Sequence, residues 1–341
     1  MIEIDGSHLE GGGQIIRTAV AMSAVTGMPV RIFNIRKGRD KPGLRPQHLE
    51  GIRAAAAICG AETSSMNLDS MELTFQPGPV KSGSYTIDPK TAGAATLVLQ
   101  TLIPIAAGSG AILDLLIRGG TAVPGSPTIE YLQSVFAPIL EMMGVRLHIH
   151  LRQHGFYPVG GGEVKVRVEP HGLRGINLAE LGKLYKVEVL SLASVKLRAT
   201  RVAERMAEGF KVFFPDAKTR IEYVKTYSPG CFISGHAVFD NGRLGADALG
   251  ELGKRAEDLG RQAGRSLQNT IQSGAGVDPW MVDQIIPFLA LSAVRANSLS
   301  KVKIDTLSRH AETGIWVIKK FLPMDFRVRD QVMTCVGLNP S

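Results

Sequence analysis

Cysteine is scarce: three residues, Cys59, Cys231 and Cys335, lie far apart and form no Cys-x-x-Cys pair. That excludes a disulfide framework and a cysteine-rich zinc site, and it fits a reducing cytoplasm. The two common nucleotide fingerprints are missing as well, with no G-x-x-x-x-G-K-[ST] loop and no G-x-G-x-x-G after a strand. Residues 1–5, Met-Ile-Glu-Ile-Asp, have neither a basic n-region nor an apolar h-region, so no secretory leader is expected. Only one charge-free run, residues 92–113, is long enough to consider as a membrane span. Gln100, Pro104 and Gly108-Ser109-Gly110 interrupt it, which predicts a buried helix leading into a buried strand and no membrane association.

What is present is a globular composition, 44% hydrophobic and 21% charged, in 341 residues. A disordered or fibrous chain is excluded, and two or more domains are expected. The net charge of +8 favours an anionic partner, which a ribosome-associated protein and a phosphate-handling enzyme would share.

Three segments look related. Residues 14–25, 97–106 and 284–294 each read as an apolar helix leading into a strand, at 30–35, 112–117 and 302–304. A second amphipathic helix follows each time (47–59, 128–143, 312–321), then a further strand (72–75, 146–150, 325–328). The pattern predicts an α+β fold of three repeated helix-on-sheet units of β-α-β-α-β type. Gln14 and Gln100 are 86 residues apart, whereas Gln100 and Gln284 are 184 apart. The excess of 98 residues is the size of a small domain. Within it the text reads strand 186–192, helix 201–214, strands 220–227 and 231–239, and helix 248–271. The expected organisation is therefore a repeat domain from residues 1–184 and 277–341, with a smaller inserted β-α-β-β-α domain at 185–276.

Four constellations could carry chemistry. Glu10-Gly11-Gly12-Gly13-Gln14, with Arg17 one turn on, places backbone N–H groups and a guanidinium at a helix start, where an anion is favoured. The same glycines would also serve as a simple tight turn. Residues 31–53 hold seven basic side chains against Asp40 and Glu50, five of the chain's eight net charges, in a Gly/Pro loop between a strand and a helix. Such a run is either an anion site or a solvated surface. His310 is placed in a loop between a strand and a helix. His148 and His150 alternate along a strand with His154 beyond and, lacking a clear carboxylate or thiol partner, read as structural. Finally, Trp280-Met281-Val282-Asp283-Gln284 opens a helix and combines an aromatic, an acid and an amide; capping and core packing would account for it equally.

Taken together these segments resemble the RNA 3'-terminal phosphate cyclase family. The matching pieces are Asp5-Gly6-Ser7, Glu10 to Gln14 and Arg17; Ile35-Arg36, Lys41-Pro42-Gly43-Leu44 and Gln47-His48-Leu49; and Leu97-Val98-Leu99-Gln100-Thr101. They continue with His154-Gly155-Phe156-Tyr157-Pro158 and Gly160-Gly161-Gly162, Asp283-Gln284, and His310 with Thr313. The resemblance implies an ATP-driven conversion of an RNA 3'-phosphate into a 2',3'-cyclic phosphate through a histidine–AMP adduct on His310 and an RNA-adenylate. It also implies Glu10 as a ligand of Mg2+ or Mn2+, Arg17, Arg36, Arg39 and Gln47 as RNA- or phosphate-binding residues, and an ATP site of Gln100, Trp280, Met281, Val282, Asp283 and Gln284. Trp280 would stack on one face of adenine, with Pro127 on the other. Leu9, Ala122 and Gly314 depart from the family pattern, which usually has glycine, aspartate and asparagine there. A competing expectation is a non-catalytic, cyclase-like ribosome-assembly protein, which would lack the histidine. Another is a small-molecule transferase of the enolpyruvyl type, which needs no histidine nucleophile.

Overall fold

The computed structural model describes residues 1–64, 66–88 and 92–338. It is a mixed α+β chain of four four-stranded sheets. The first sheet is built by β1 (Ile2–Asp5), α1 (Gly13–Thr26), β2 (Val30–Phe33), α2 (Pro46–Cys59), β3 (Glu62–Ser64) and β4 (Leu73–Gln76). Its order is β1-β2-β4-β3, parallel in the first pair and antiparallel in the others. The second comprises β5 (Gly83–Ile87), α3 (Ala95–Ser109), β6 (Leu113–Gly119), a helix in two parts, α4 (Ile129–Tyr131) and α5 (Ala137–Met142), joined by a π-helical turn, then β7 (Val145–Gln153) and β8 (Gly162–Pro170). Its order, β5-β6-β8-β7, has the same pattern of directions.

A third sheet starts at β9 (Asn177–Leu178) and resumes a hundred residues later with α8 (Pro279–Arg295), β14 (Ser300–Lys303), α9 (Arg309–Ile318), β15 (Met324–Arg329) and β16 (Val332–Gly337). The order is β9-β14-β16-β15, and again only the first pair is parallel. Between these parts lie β10 (Leu184–Ser194), α6 (Val202–Lys211), β11 (Lys218–Val224), β12 (Cys231–Phe239), β13 (Arg243–Leu249) and α7 (Ala256–Ser273). They form their own sheet, β11-β10-β12-β13.

Two expectations about the elements need correction. Each β-α-β-α run ends in two strands, because a hairpin pairs back onto the second strand; β3 and β16 escaped the periodicity search, whereas the alternating residues 163–168 after the Gly160-Gly161-Gly162 loop are β8. The inserted segment also has a strand where a helix was expected to begin at residue 248. Alanine and leucine in 244–249 suggested helix, but Asn241-Gly242 closes a tight hairpin and β13 pairs with β12 from Val238↔Arg243 to Phe232↔Leu249. The helix starts at Ala256 instead.

The buried helices explain how distant segments meet. α1, α3 and α8 carry apolar residues nearly all round, as helices packed on several sides do. The charge-free run is largely α3, packed on α1, α2 and α8, and among the described residues no helix is long and apolar enough to cross a membrane. Gly108 of α3 lies where an added Cβ would touch Val25 of α1 and Leu291 of α8, so the C-terminal halves of the three helices converge there. Residues near their N-termini, Gln14 and Arg17, Gln100, and Asp283 and Gln284, line one cavity of about 30 Å3. The three helices therefore run side by side in the same direction, and their positive dipole ends point the same way.

Candidate active site

Gly12 is the N-cap of α1 and Gly13 its first residue, so no side-chain cap covers the first backbone N–H groups. An added Cβ on Gly13 would collide with the His48 ring, so glycine is required for α1 and α2 to approach here. His48 is buried, and its Nδ1 accepts from the Arg45 N–H at 3.1 Å, which leaves the proton on Nε2. Burial pushes its pKa down to about 3, with Arg17, Arg36 and Arg45 acting in the same direction. It therefore stays neutral beside a cationic loop.

His310 lies in the first turn of α9, not in a loop: Ser308 caps that helix by accepting from the Ala311 N–H, three residues earlier than the helix was expected to begin. The ring is held at both nitrogens. Nδ1 lies 2.7 Å from Oε1 of Gln14, and Nε2 lies 3.0 Å from Oε1 of Glu10. Both oxygens can only accept: the imidazolium donates from each nitrogen, and the neutral ring that keeps its Nδ1 proton on Gln14 has its lone pair on Nε2, facing Glu10. Glu10 also takes Arg39 Nη2 at 2.8 Å, and the same nitrogen donates to the Glu10 carbonyl at 3.1 Å. Burial lowers the His310 pKa, Glu10 opposes that, and Arg17 and Arg39 reinforce it.

Other anticipated residues separate into two groups. Arg17 is brought to the same cleft, beside Asp283; burial takes its pKa down to about 10, and burial raises Asp283 to about 6. Gln100 donates to Gln284 Oε1 at 3.2 Å, and Gln284 donates to the Trp280 carbonyl at 2.7 Å, so α3 and the start of α8 are joined at the cavity. Met281 and Val282 are buried beneath, whereas Trp280 is 58% exposed and its ring is open to a ligand. Pro127 is half-buried, and its carbonyl accepts from Thr96 at the start of α3. Arg36 is committed to the loop itself, donating to the carbonyls of Lys41 at 2.7 Å and Gly43 at 3.2 Å. Gln47 sits half-buried in the first turn of α2 next to His48.

The three departures have structural counterparts. Leu9 adopts φ +49°, a conformation that glycine takes without strain. A Cβ on Gly314 would come within 3.3 Å of Gln14 Nε2, so its absence leaves room for the amide that holds His310. Ala122 is buried in a small apolar cluster with Phe156, Leu192 and Phe232. Gln14 and His48 belong to the recognised motifs, but no role could be read from them: Gln14 acts on His310 far away in the chain, and His48 fills the space beside Gly13 of another helix. Asp278, the cap of α8, was missed, although Asp-Pro before a helical run is a start signal.

Fold and site define an α+β protein with a histidine, contacted by Gln14 and Glu10, set in a cleft where helix N-termini and arginines gather positive potential, a centre suited to binding phosphates. The model of the family described as RNA 3'-terminal phosphate cyclase matches residues 8–328. A relative from Caldivirga maquilingensis named RNA 3'-terminal phosphate cyclase is 45% identical, over 94% of this chain and 93% of its own length. Relatives with the same name from Methanopyrus kandleri and Pyrococcus furiosus are each 41% identical, over 96% and 97% of this chain and 95% and 96% of their own. The chain belongs to the RNA 3'-terminal phosphate cyclase family.

Proposed function

We propose that this chain is an ATP-dependent ligase that converts an RNA 3'-phosphate end into a 2',3'-cyclic phosphate, and that it works in the reducing cytoplasm with its three cysteines as free thiols. The observation that carries this reading is the His310 ring, with Nδ1 anchored on Gln14 and Nε2 directed into the arginine-rich cleft. This same arrangement favours catalysis over a ribosome-assembly role, for which no nucleophile is needed.

His310 Nε2 attacks the α-phosphorus of ATP, forming a P–N bond and breaking the bond to pyrophosphate. An oxygen of the RNA 3'-phosphate then attacks the same phosphorus, forming a pyrophosphate-linked adenylate and returning the electron pair to Nε2. The adjacent 2'-OH attacks the terminal RNA phosphorus, closes the cyclic phosphate and expels AMP; its proton leaves to solvent. Arg17 and Arg39 offset the repulsion between the two anionic phosphates, and the dipole ends of α1, α3 and α8 add to that field. Trp280 and Pro127 bracket the adenine, while Gln100, Asp283 and Gln284 form the adjoining floor. Among the described residues no cluster of three or more His, Cys, Asp or Glu side chains could hold a metal ion alone. That fits Mg2+ or Mn2+ held by Glu10 together with nucleotide phosphates, where it would neutralise charge. We also read the shared strand order of the first, second and third sheets as one unit repeated three times, with residues 185–276 a domain inserted into the third.

Incubation with ATP labelled at the α-phosphate tests the mechanism. Label should stay with the wild-type protein through denaturing electrophoresis, be released by acid and resist alkali, and be absent from His310→Ala. An RNA ending in a 3'-phosphate but lacking the last 2'-OH should accept AMP and stop there. An adduct on His310→Ala, or cyclisation of the 2'-deoxy end, would show the mechanism to be wrong.

A further inference from the structure

Strand β13 belongs to the inserted sheet, yet two of its residues reach into the main body. Gly245 and Asp247 are two apart on a strand and so face the same side. The Gly245 N–H donates to Asp278 Oδ2 at 2.9 Å. The other oxygen of Asp278 accepts from the Trp280 and Met281 N–H groups, each at 3.1 Å, and from the Tyr131 hydroxyl at 2.7 Å. Asp278 is completely buried, and all of its contacts end on the first turn of α8, on α4 or on β13. Asp247 Oδ2 in turn accepts from Thr128, at 2.6 Å from the hydroxyl and 3.2 Å from the N–H. Thr128 is itself fully buried and caps α4 by accepting from the Tyr131 N–H at 3.0 Å. Gly245 must be glycine for this approach, since a Cβ would press on Tyr131 and Val135.

The consequence is geometric. Thr128 directly follows Pro127, and Asp278 stands two residues before Trp280. Both walls assigned to the adenine are thus hung from one strand, by Asp247 on one side and by the Gly245 amide through Asp278 on the other, with Tyr131 bracing the two. The geometry points to Asp247, Asp278 and Tyr131 as positioning residues through which the inserted domain sets the gap between Pro127 and Trp280, and hence the affinity and base selectivity of the nucleotide site. This rests on the reading of that site as the adenine pocket. A residue that shapes the pocket without touching the reacting atoms changes nucleotide recognition more than the chemical step.

The test is a steady-state and single-turnover comparison of self-adenylylation with ATP and GTP in the full chain. Asp247→Asn presents an amide in place of a carboxylate oxygen to the Thr128 donors; Asp278→Asn and Tyr131→Phe remove acceptor and donor at the other wall. Each should raise KM for ATP, by about tenfold for the two Asn variants and about threefold for Tyr131→Phe, keep kcat within threefold of wild type, and reduce the preference for ATP over GTP. Arg205→Ala breaks the ion pair between α6 and α7 (2.8 Å to Glu257) without removing any of the bonds of Asp247, Asp278, Thr128 or Tyr131; KM should not move. If Asp278→Asn fails to fold, Asp247→Asn and Tyr131→Phe decide the matter. Unchanged KM and base preference in those variants, or a KM rise in Arg205→Ala equal to theirs, would overturn the proposal. A wild-type protein that forms no adduct with ATP would instead overturn the functional reading itself.

Discussion

Replacing Gln14 by leucine tests whether the histidine is held in one tautomer. Gln14 is 7% exposed, and its oxygen accepts from His310 Nδ1 at 2.7 Å, with no other partner for that proton in the geometry described. Leucine keeps the apolar contacts of the first turn of α1 but cannot accept, so the Nδ1–H loses its acceptor and the lone pair is free to shift to the wrong nitrogen. A net hydrogen bond of about 1–1.5 kcal/mol, approaching 3 kcal/mol where the ring gains charge in the transition state, sets the loss. At about 1.4 kcal/mol per decade, adenylylation should slow by roughly 10- to 100-fold. Rapid-quench measurement of the His310 adduct at saturating ATP reads the chemical step without contributions from RNA binding. Gln14→Asn, shorter by one methylene, should be nearly as slow. A rate within threefold of wild type in Gln14→Leu would refute the tautomer argument and leave Gln14 as packing alone.

Four further outcomes follow from the same contacts. The adenylylation rate should fall as pH drops through the lowered pKa of His310; in Glu10→Gln, which removes the carboxylate that raises it, the inflection should lie at still lower pH. Arg39→Ala should weaken transfer to RNA more than self-adenylylation and reduce the salt slope of RNA binding by about one, whereas Arg36→Ala should slow both steps together, since its guanidinium is committed to loop carbonyls. Gly13→Ala should lose adduct formation and lower Tm, because the new methyl would displace His48. Glu130 is buried and burial pushes its carboxyl up to about 8, so the folded form retains a proton that the unfolded chain releases near 4.5. Its contribution is therefore full at acid pH and lost as pH rises through 8, with a slope of up to about 1.4 kcal/mol per pH unit; urea unfolding of Glu130→Gln at pH 5, 6.5 and 8 should show a flatter profile.

Much of the helical framework was legible in the sequence because α1, α3 and α8 are apolar over long runs, each with a glutamine in its first half. The second helices could be read for the same reason, their one-sided apolar pattern. Short strands were harder. β9 has two residues and β3 three, too few for any alternation to register. β13 was hidden by its alanines, and its partner strand, not its own pattern, decides its conformation. At the site, the side chains expected from the family pattern can be placed one by one, but their relations cannot. Nothing in residues 8–17 announces that Gln14 will orient a histidine near the other end of the chain. Nor does the loop text reveal that Arg36 points back at its own carbonyls while Arg39 reaches Glu10. Asp278 went unread although Asp-Pro is a helix-start signal, and its bonds to Tyr131 and Gly245 depend on packing between segments 33 and 147 residues away.

The pairs that complete the centre are joined across most of the polypeptide: Gln14 with His310 over 296 residues, and Gln100 with Gln284 over 184. Such long-range closure is slow relative to local helix formation. During synthesis the glycine run, the arginine loop and the first two sheets emerge well before His310 does. On the proposed mechanism, a nascent or truncated chain that stops short of residue 310 could gather anions but could not form the phosphoramidate. Chemistry thus becomes available only after the final sheet has closed against the first, and the labelled adduct doubles as a readout of complete folding.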